Sequence, residues 1–221
     1  MCFSVEADVA VGVAVGVVGV DALRHVTRPA QWPLAALPLV FAAHQLNEAF
    51  VWWGLDGTFS SSVARWAAWI YLGIAFVLPA WVPVTVALIE PDRMRRRVMW
   101  GFAALGAVVS AVLLLALLRG GPHVREEPLH LAYAVDTGVG VQMAVLYVAA
   151  TCGAFLASSD RRIALVGLLN LVAVSVLAAL LMTGVISLWC AWAAVVSVLI
   201  AAHLRATPEP TGATAVRATS G

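Results

Sequence analysis

The chain has 221 residues, of which 62% are apolar and 11% charged, and a formal net charge of +1. Soluble domains carry about 25% charged residues, so a water-soluble fold is excluded, and the small net charge removes the basic field that a nucleic-acid binder needs. All thirteen basic residues are Arg; with no Lys there is no Schiff-base amine, which excludes a retinal photoreceptor. Cys2, Cys152 and Cys190 lack a metal-ligand spacing, so neither a disulfide framework nor a cysteine metal site is expected.

A helix needs about 20 apolar residues to cross a bilayer core of about 30 Å. Seven stretches qualify, at Asp8 to Leu23, Pro33 to Trp53, Val63 to Ile89, Val98 to Leu118, Val135 to Ala157, Ile163 to Met182 and Val185 to Leu204. The expected fold is all-α, a polytopic integral membrane bundle of seven transmembrane helices over residues 1–206. The first run has no basic segment before it and no cleavage site after it, so it reads as a retained helix. Removal of Met1 would leave Cys2 as a free terminal thiol and amine. Arg24 and Arg28, Arg93 to Arg97, Arg161 and Arg162, and Arg205 fall in alternate loops, against Arg65, Arg119 and Arg125 in the others. The positive-inside rule then places the N-terminus outside and the C-terminus in the cytoplasm. Residues 207–221, rich in Pro, Thr, Ala and Gly, are expected to be a disordered cytoplasmic tail.

Ionisable groups are costly in hydrocarbon and mark functional sites by default. Glu48 is the acid placed well inside a span. Helical spacing puts Phe41, His44, Glu48 and Trp52 on one face, where His44 can pair with Glu48. A polar clasp between helices, helped by Gln45 and Asn47, is the other reading of the same residues. Glu6, Asp8, Asp56 and Asp136 gather at the outer level, and residues 119–134, with His123 and His130, form either a lid over the bundle mouth or a solvated loop. Of nine tryptophans, Trp52, Trp53, Trp66, Trp69, Trp189 and Trp192 fall in the outer half. An interfacial belt accounts for some of them. The excess beside Glu48 suits an acid that makes a carbocation and aromatic faces that stabilise it. Trp52, Trp66 or Trp69, and Trp189 or Trp192 are expected to share one cavity with Glu48.

The opening Met-Cys-Phe-Ser, the Pro-Leu-x-x-Leu-Pro-Leu-x-Phe run and the His44-Gln-Leu-Asn-Glu48-x-x-x-Trp52-Trp segment resemble an actinobacterial group of small seven-helix proteins. In size, helix count and second-helix acid the chain also resembles the integral-membrane terpene cyclases of the bacterial drimentine and fungal meroterpenoid types. That resemblance implies a bacterial-type plasma-membrane enzyme without cofactor or metal. Its partners would be membrane lipid and a lipophilic prenylated, farnesyl-type substrate, not nucleic acid. Glu48 would protonate the polyene, with His44 or a second acid taking the final proton. The last helix lacks the acid that the family resemblance leads one to expect there, which leaves Asp136, Glu6 or Asp8 for that role. Two alternatives remain open: a ceramidase-like zinc hydrolase using His44, His123 and His130, and a non-enzymatic lipid-binding or assembly protein.

Overall fold

The structure, a computed structural model, describes residues 4–127, 130–135, 140–180 and 185–206, with side chains described outside 180–191. Its elements are α1 (Val5–Arg24), a 3-10 turn (Pro29–Gln31), α2 (Trp32–Leu55), α3 (Ser61–Ile89), α4 (Arg93–Gly120), β1 (His123–Glu127), β2 (His130–Ala134), α5 (Gly140–Leu156), α6 (Arg161–Leu180) and α7 (Val185–Arg205). The seven expected apolar stretches each match one helix to within a few residues at most ends. The largest difference at an end flanked by described residues is at α4, which starts at Arg93. The α4 extension follows from Asp92, whose carboxylate accepts the Arg95 backbone N–H at 2.8 Å and caps the arginine-rich turn.

Each helix packs on the next, and α7 closes the ring by returning to α1 and α2. Small residues set the closest approaches. A Cβ on Gly12 would meet Leu46 at 2.7 Å, and one on Gly19 would meet the Leu39 backbone at 2.9 Å. Together with Gly16 these residues form the small-residue seam that lets two membrane helices pack backbone to backbone. On α3, Pro79 cannot donate to the carbonyl of Ala75, and the Tyr147 hydroxyl of α5 donates to it instead at 2.9 Å. Pro83 likewise frees the Pro79 carbonyl, against which Gly106 of α4 lies with no room for a side chain.

The core is in two parts. Leu34, Leu37, Val86, Met99, Phe155 and Ile200 belong to one cluster, and Val51, Tyr71, Leu72, Val109, Leu113 and Leu131 to the other. The first lies toward the end where α1 and α7 finish, called here the basic end. Nine arginines cluster there, at 24, 28, 93, 95, 96, 97, 161, 162 and 205. Polar ties bind its loops: Arg205 Nε reaches Asp21 at 2.8 Å, and Arg95 donates to the carbonyls of Ala157 and Ser158. Glu90, just past α3, accepts from Ser158 Oγ, from the Ser159 backbone and hydroxyl, and from the Asp92 backbone. Burial pushes the Glu90 carboxyl up, but the bonds from Ser159, Asp92 and Ser158 outweigh it and hold it below the ordinary carboxylate range.

The expectation of an entirely helical chain, with a plain loop or lid at 119–134, is corrected by a two-stranded antiparallel hairpin. Val124 pairs with Tyr133 and Glu126 with Leu131. Alternation explains it: Leu131 and Tyr133 point into the bundle while Ala134 is exposed. The hairpin caps the end opposite the arginines, called here the hairpin end.

Four helical segments are long and apolar enough to cross a membrane: Pro29–Leu55, Ser61–Ile89, Arg93–Gly120 and Arg161–Ala179. Every one of the seven helices also exposes large apolar side chains, among them Val17 of α1, Val145 of α5 and Val198 of α7. Apolar surface of that extent belongs in lipid.

Candidate functional site

The site is a polar layer between the two apolar clusters, built on the middle of α2. At about 100° per residue, Glu48 projects between the directions of His44 and Gln45, into the bundle. His44 is 2% exposed and Glu48 0%. The His44 imidazole stacks on Tyr71 of α3 with ring centroids 3.8 Å apart, and Tyr71 stacks in turn on Tyr133 of the hairpin at 4.3 Å. These near-parallel rings couple α2, α3 and the hairpin. On the other flank Gln45 Nε2 donates to Asp8 Oδ1 of α1 at 2.6 Å, and Asp8 is 0% exposed. The buried indole nitrogen of Trp52 lies near the same carboxylate. Asn47 Nδ2 donates to the Ala67 carbonyl at 2.7 Å and fixes α2 against α3.

The expected residues thus divide. Glu48, His44 and Trp52 lie together on the inward side of α2. Trp69 packs with Trp52 against the hairpin-end cluster, whereas Phe41 and Trp192 pack against the basic-end cluster and bound the layer from below. Of the alternatives Trp66 and Trp69, Trp66 is 66% exposed, on the outside of α3. Its spacing from Trp69 gives a rotation of about 60°, enough to carry it off the inward face and into lipid contact. Trp53 turns to an exposed aromatic group with Phe50 and Phe59 at the α2–α3 turn. Asp136, Cys2, the side chain of Trp189 and the tail 207–221 lie outside the described residues. The zinc trio does not assemble. His123 is exposed on β1 and His130 buried on β2, and among the described residues no three His, Cys, Asp or Glu side chains group closely enough to hold a metal ion.

Sequence reasoning treated Asp8 as an outer-level substitute and passed over Tyr71 and Tyr133. One signal for Asp8 was present. It stands four residues before Gly12, itself four before Gly16, so the acid shares the face of the small-residue seam and must meet α2 rather than water. Nothing local marks Tyr71 or Tyr133, whose role depends on a hairpin pairing across the bundle mouth.

No curated protein matches the chain, and neither does any solved structure. A family model spans residues 1–215, and the chain therefore belongs to DUF6629, a family of unknown function.

Proposed function

We propose that the protein is a seven-span plasma-membrane enzyme, N-terminus outside and C-terminus in the cytoplasm, whose polar layer initiates cyclisation of a prenylated, farnesyl-type substrate. The apolar faces on all seven helices and the concentration of arginine at one end support the span count and orientation. The observation that carries the chemistry is the pair of fully buried acids, Asp8 and Glu48, at one level of the bundle beside stacked aromatic rings. Protonated Glu48 gives its proton to a terminal alkene or epoxide, which forms a C–H or O–H bond and leaves a carbocation. Ring closures move the cation along the chain, and the faces of Tyr133 and Trp52 stabilise it, Tyr71 being held between His44 and Tyr133. Loss of a proton from carbon to Asp8 or His44 ends the sequence, so product and substrate are isomers.

The test is conversion of a farnesylated acceptor to a cyclised isomer of equal mass by membranes carrying wild type, Glu48→Gln or Asp8→Asn. Loss of a general acid lowers the rate about 10²–10⁴-fold. Glu48→Gln is expected at the upper end of that range with the fold intact; equal turnover by wild type and Glu48→Gln would refute the assignment of the donor. A second reading is favoured by the Gln45–Asp8 and Asn47–Ala67 bonds: a structural clasp in a non-enzymatic membrane protein. It predicts no product from wild type over a panel of prenylated substrates, and Glu48→Gln then changes nothing.

A further inference from the structure

At the basic end, away from the polar layer, a groove of about 270 Å³ opens between α6 and α7. Leu34, Phe155, Val166 and Ile200 form its apolar wall, and Arg162 and His203 stand at its mouth. Leu165 and Leu169 beside it are 53% and 38% exposed, so it opens to the lipid side of the bundle. Arg28 stands near enough that its positive charge, like that of Arg162, bears on His203. One acid, Asp160, lies 3.6 Å from His203. Two arginines against one carboxylate leave the mouth net positive. An apolar trough ending in a positive mouth, at the depth where a helical bundle meets headgroups, complements an acyl chain joined to an anion.

We propose that this groove binds one anionic phospholipid, its acyl chain between α6 and α7 and its phosphate against Arg162. A fork of N–H donors suits phosphate oxygens, and the second arginine disfavours a headgroup that carries its own cation. The site is independent of the chemistry assigned to Glu48.

Native mass spectrometry of the purified full chain, with phosphatidylglycerol or phosphatidylcholine added, tests the assignment. Wild type is expected to retain one phosphatidylglycerol under conditions that strip phosphatidylcholine. Arg162→Gln removes one basic contact and is expected to lower occupancy roughly fivefold. Ala202→Phe, at an exposed position lining the groove, fills the trough and is expected to abolish retention. Arg97→Gln, at the same end but outside the groove, is expected to behave as wild type. Equal retention of the two lipids, or retention unchanged in both groove variants, would overturn the proposal. So would displacement of the lipid by inorganic phosphate alone, which would make the site one for a free anion.

Discussion

The bond from Gln45 to Asp8 spans the seam of α1 and α2 at 2.6 Å, and it lies where water does not reach. Gln45→Leu leaves the Asp8 carboxyl without that donor, and an unsatisfied buried polar group costs about 1–3 kcal/mol. The expected result is a lower melting temperature in detergent; an unchanged one would show that the bond contributes nothing. Two glycines of α4 make a sharper comparison. A methyl on Gly106 would run into the Pro79 carbonyl, whereas one on Gly101 would meet nothing within 4 Å. Gly106→Ala should therefore destabilise by about 1–3 kcal/mol through overpacking. Gly101→Ala should stabilise by about 0.5–1 kcal/mol, because alanine is the better helix former. Thermal unfolding of both variants checks the opposite signs. At this scale the sequence was informative about Glu48 and His44, which interrupt an apolar run and are both buried. It was less so about Asp8. An acid in the first turn of a helix is ordinarily there for the positive end of the helix dipole, and only the neighbouring helix shows that this one is enclosed.

Hydrogen bonds to the Glu90 carboxylate link the α3–α4 and α5–α6 connections, and they make part of the stability depend on pH. The folded carboxyl titrates below its unfolded value of about 4.3, so its contribution is complete at neutral pH and is lost as pH falls through the folded value. Melting temperatures followed from pH 7 down through the carboxylate range should fall in wild type and fall less steeply in Glu90→Gln. Parallel curves would remove Glu90 as the source. At the other end, the hairpin is held by Leu131 and by the stacking of Tyr133 on Tyr71. Tyr133→Ala removes a ring contact worth about 0.5–1.5 kcal/mol beyond its buried area. Trypsin should then cut after Arg125 faster than in wild type, and Tyr133→Phe, which keeps the ring, should be cut more slowly than Tyr133→Ala. The helices were legible because long apolar runs admit few other structures in lipid. The hairpin was not: its strands are five residues each, and β1 carries Arg125, Glu126 and Glu127, which read as a solvated loop.

Across the whole molecule, the arginine distribution predicts that reporters fused after Arg97 and after Arg162 face the cytoplasm and that one inserted near Gly57 faces outward. A cytoplasmic Gly57 would put the polar layer in the opposite leaflet. The order of the helices around the bundle was not readable from the chain, because each apolar run is compatible with several neighbours; the glycine seam marks the α1–α2 pair, and the carbonyls released by Pro79 and Pro83 mark the approaches of α5 and α4 to α3. That seam also constrains biogenesis. Within its 20 residues α1 carries Glu6, Asp8, Asp21 and Arg24, and it is not among the segments apolar enough to cross alone. The Pro29–Leu55 segment that contains α2 is the least apolar of the four that are. α1 is therefore a poor candidate for release into lipid by itself. Together the two bury Asp8 against Gln45 and the glycines against Leu39 and Leu46. The two helices should therefore leave the translocation machinery as a preassembled pair, with α1 held at the channel until α2 has emerged. A nascent chain truncated before Gln45 should accordingly remain extractable by alkali, and one extended past α2 should resist extraction.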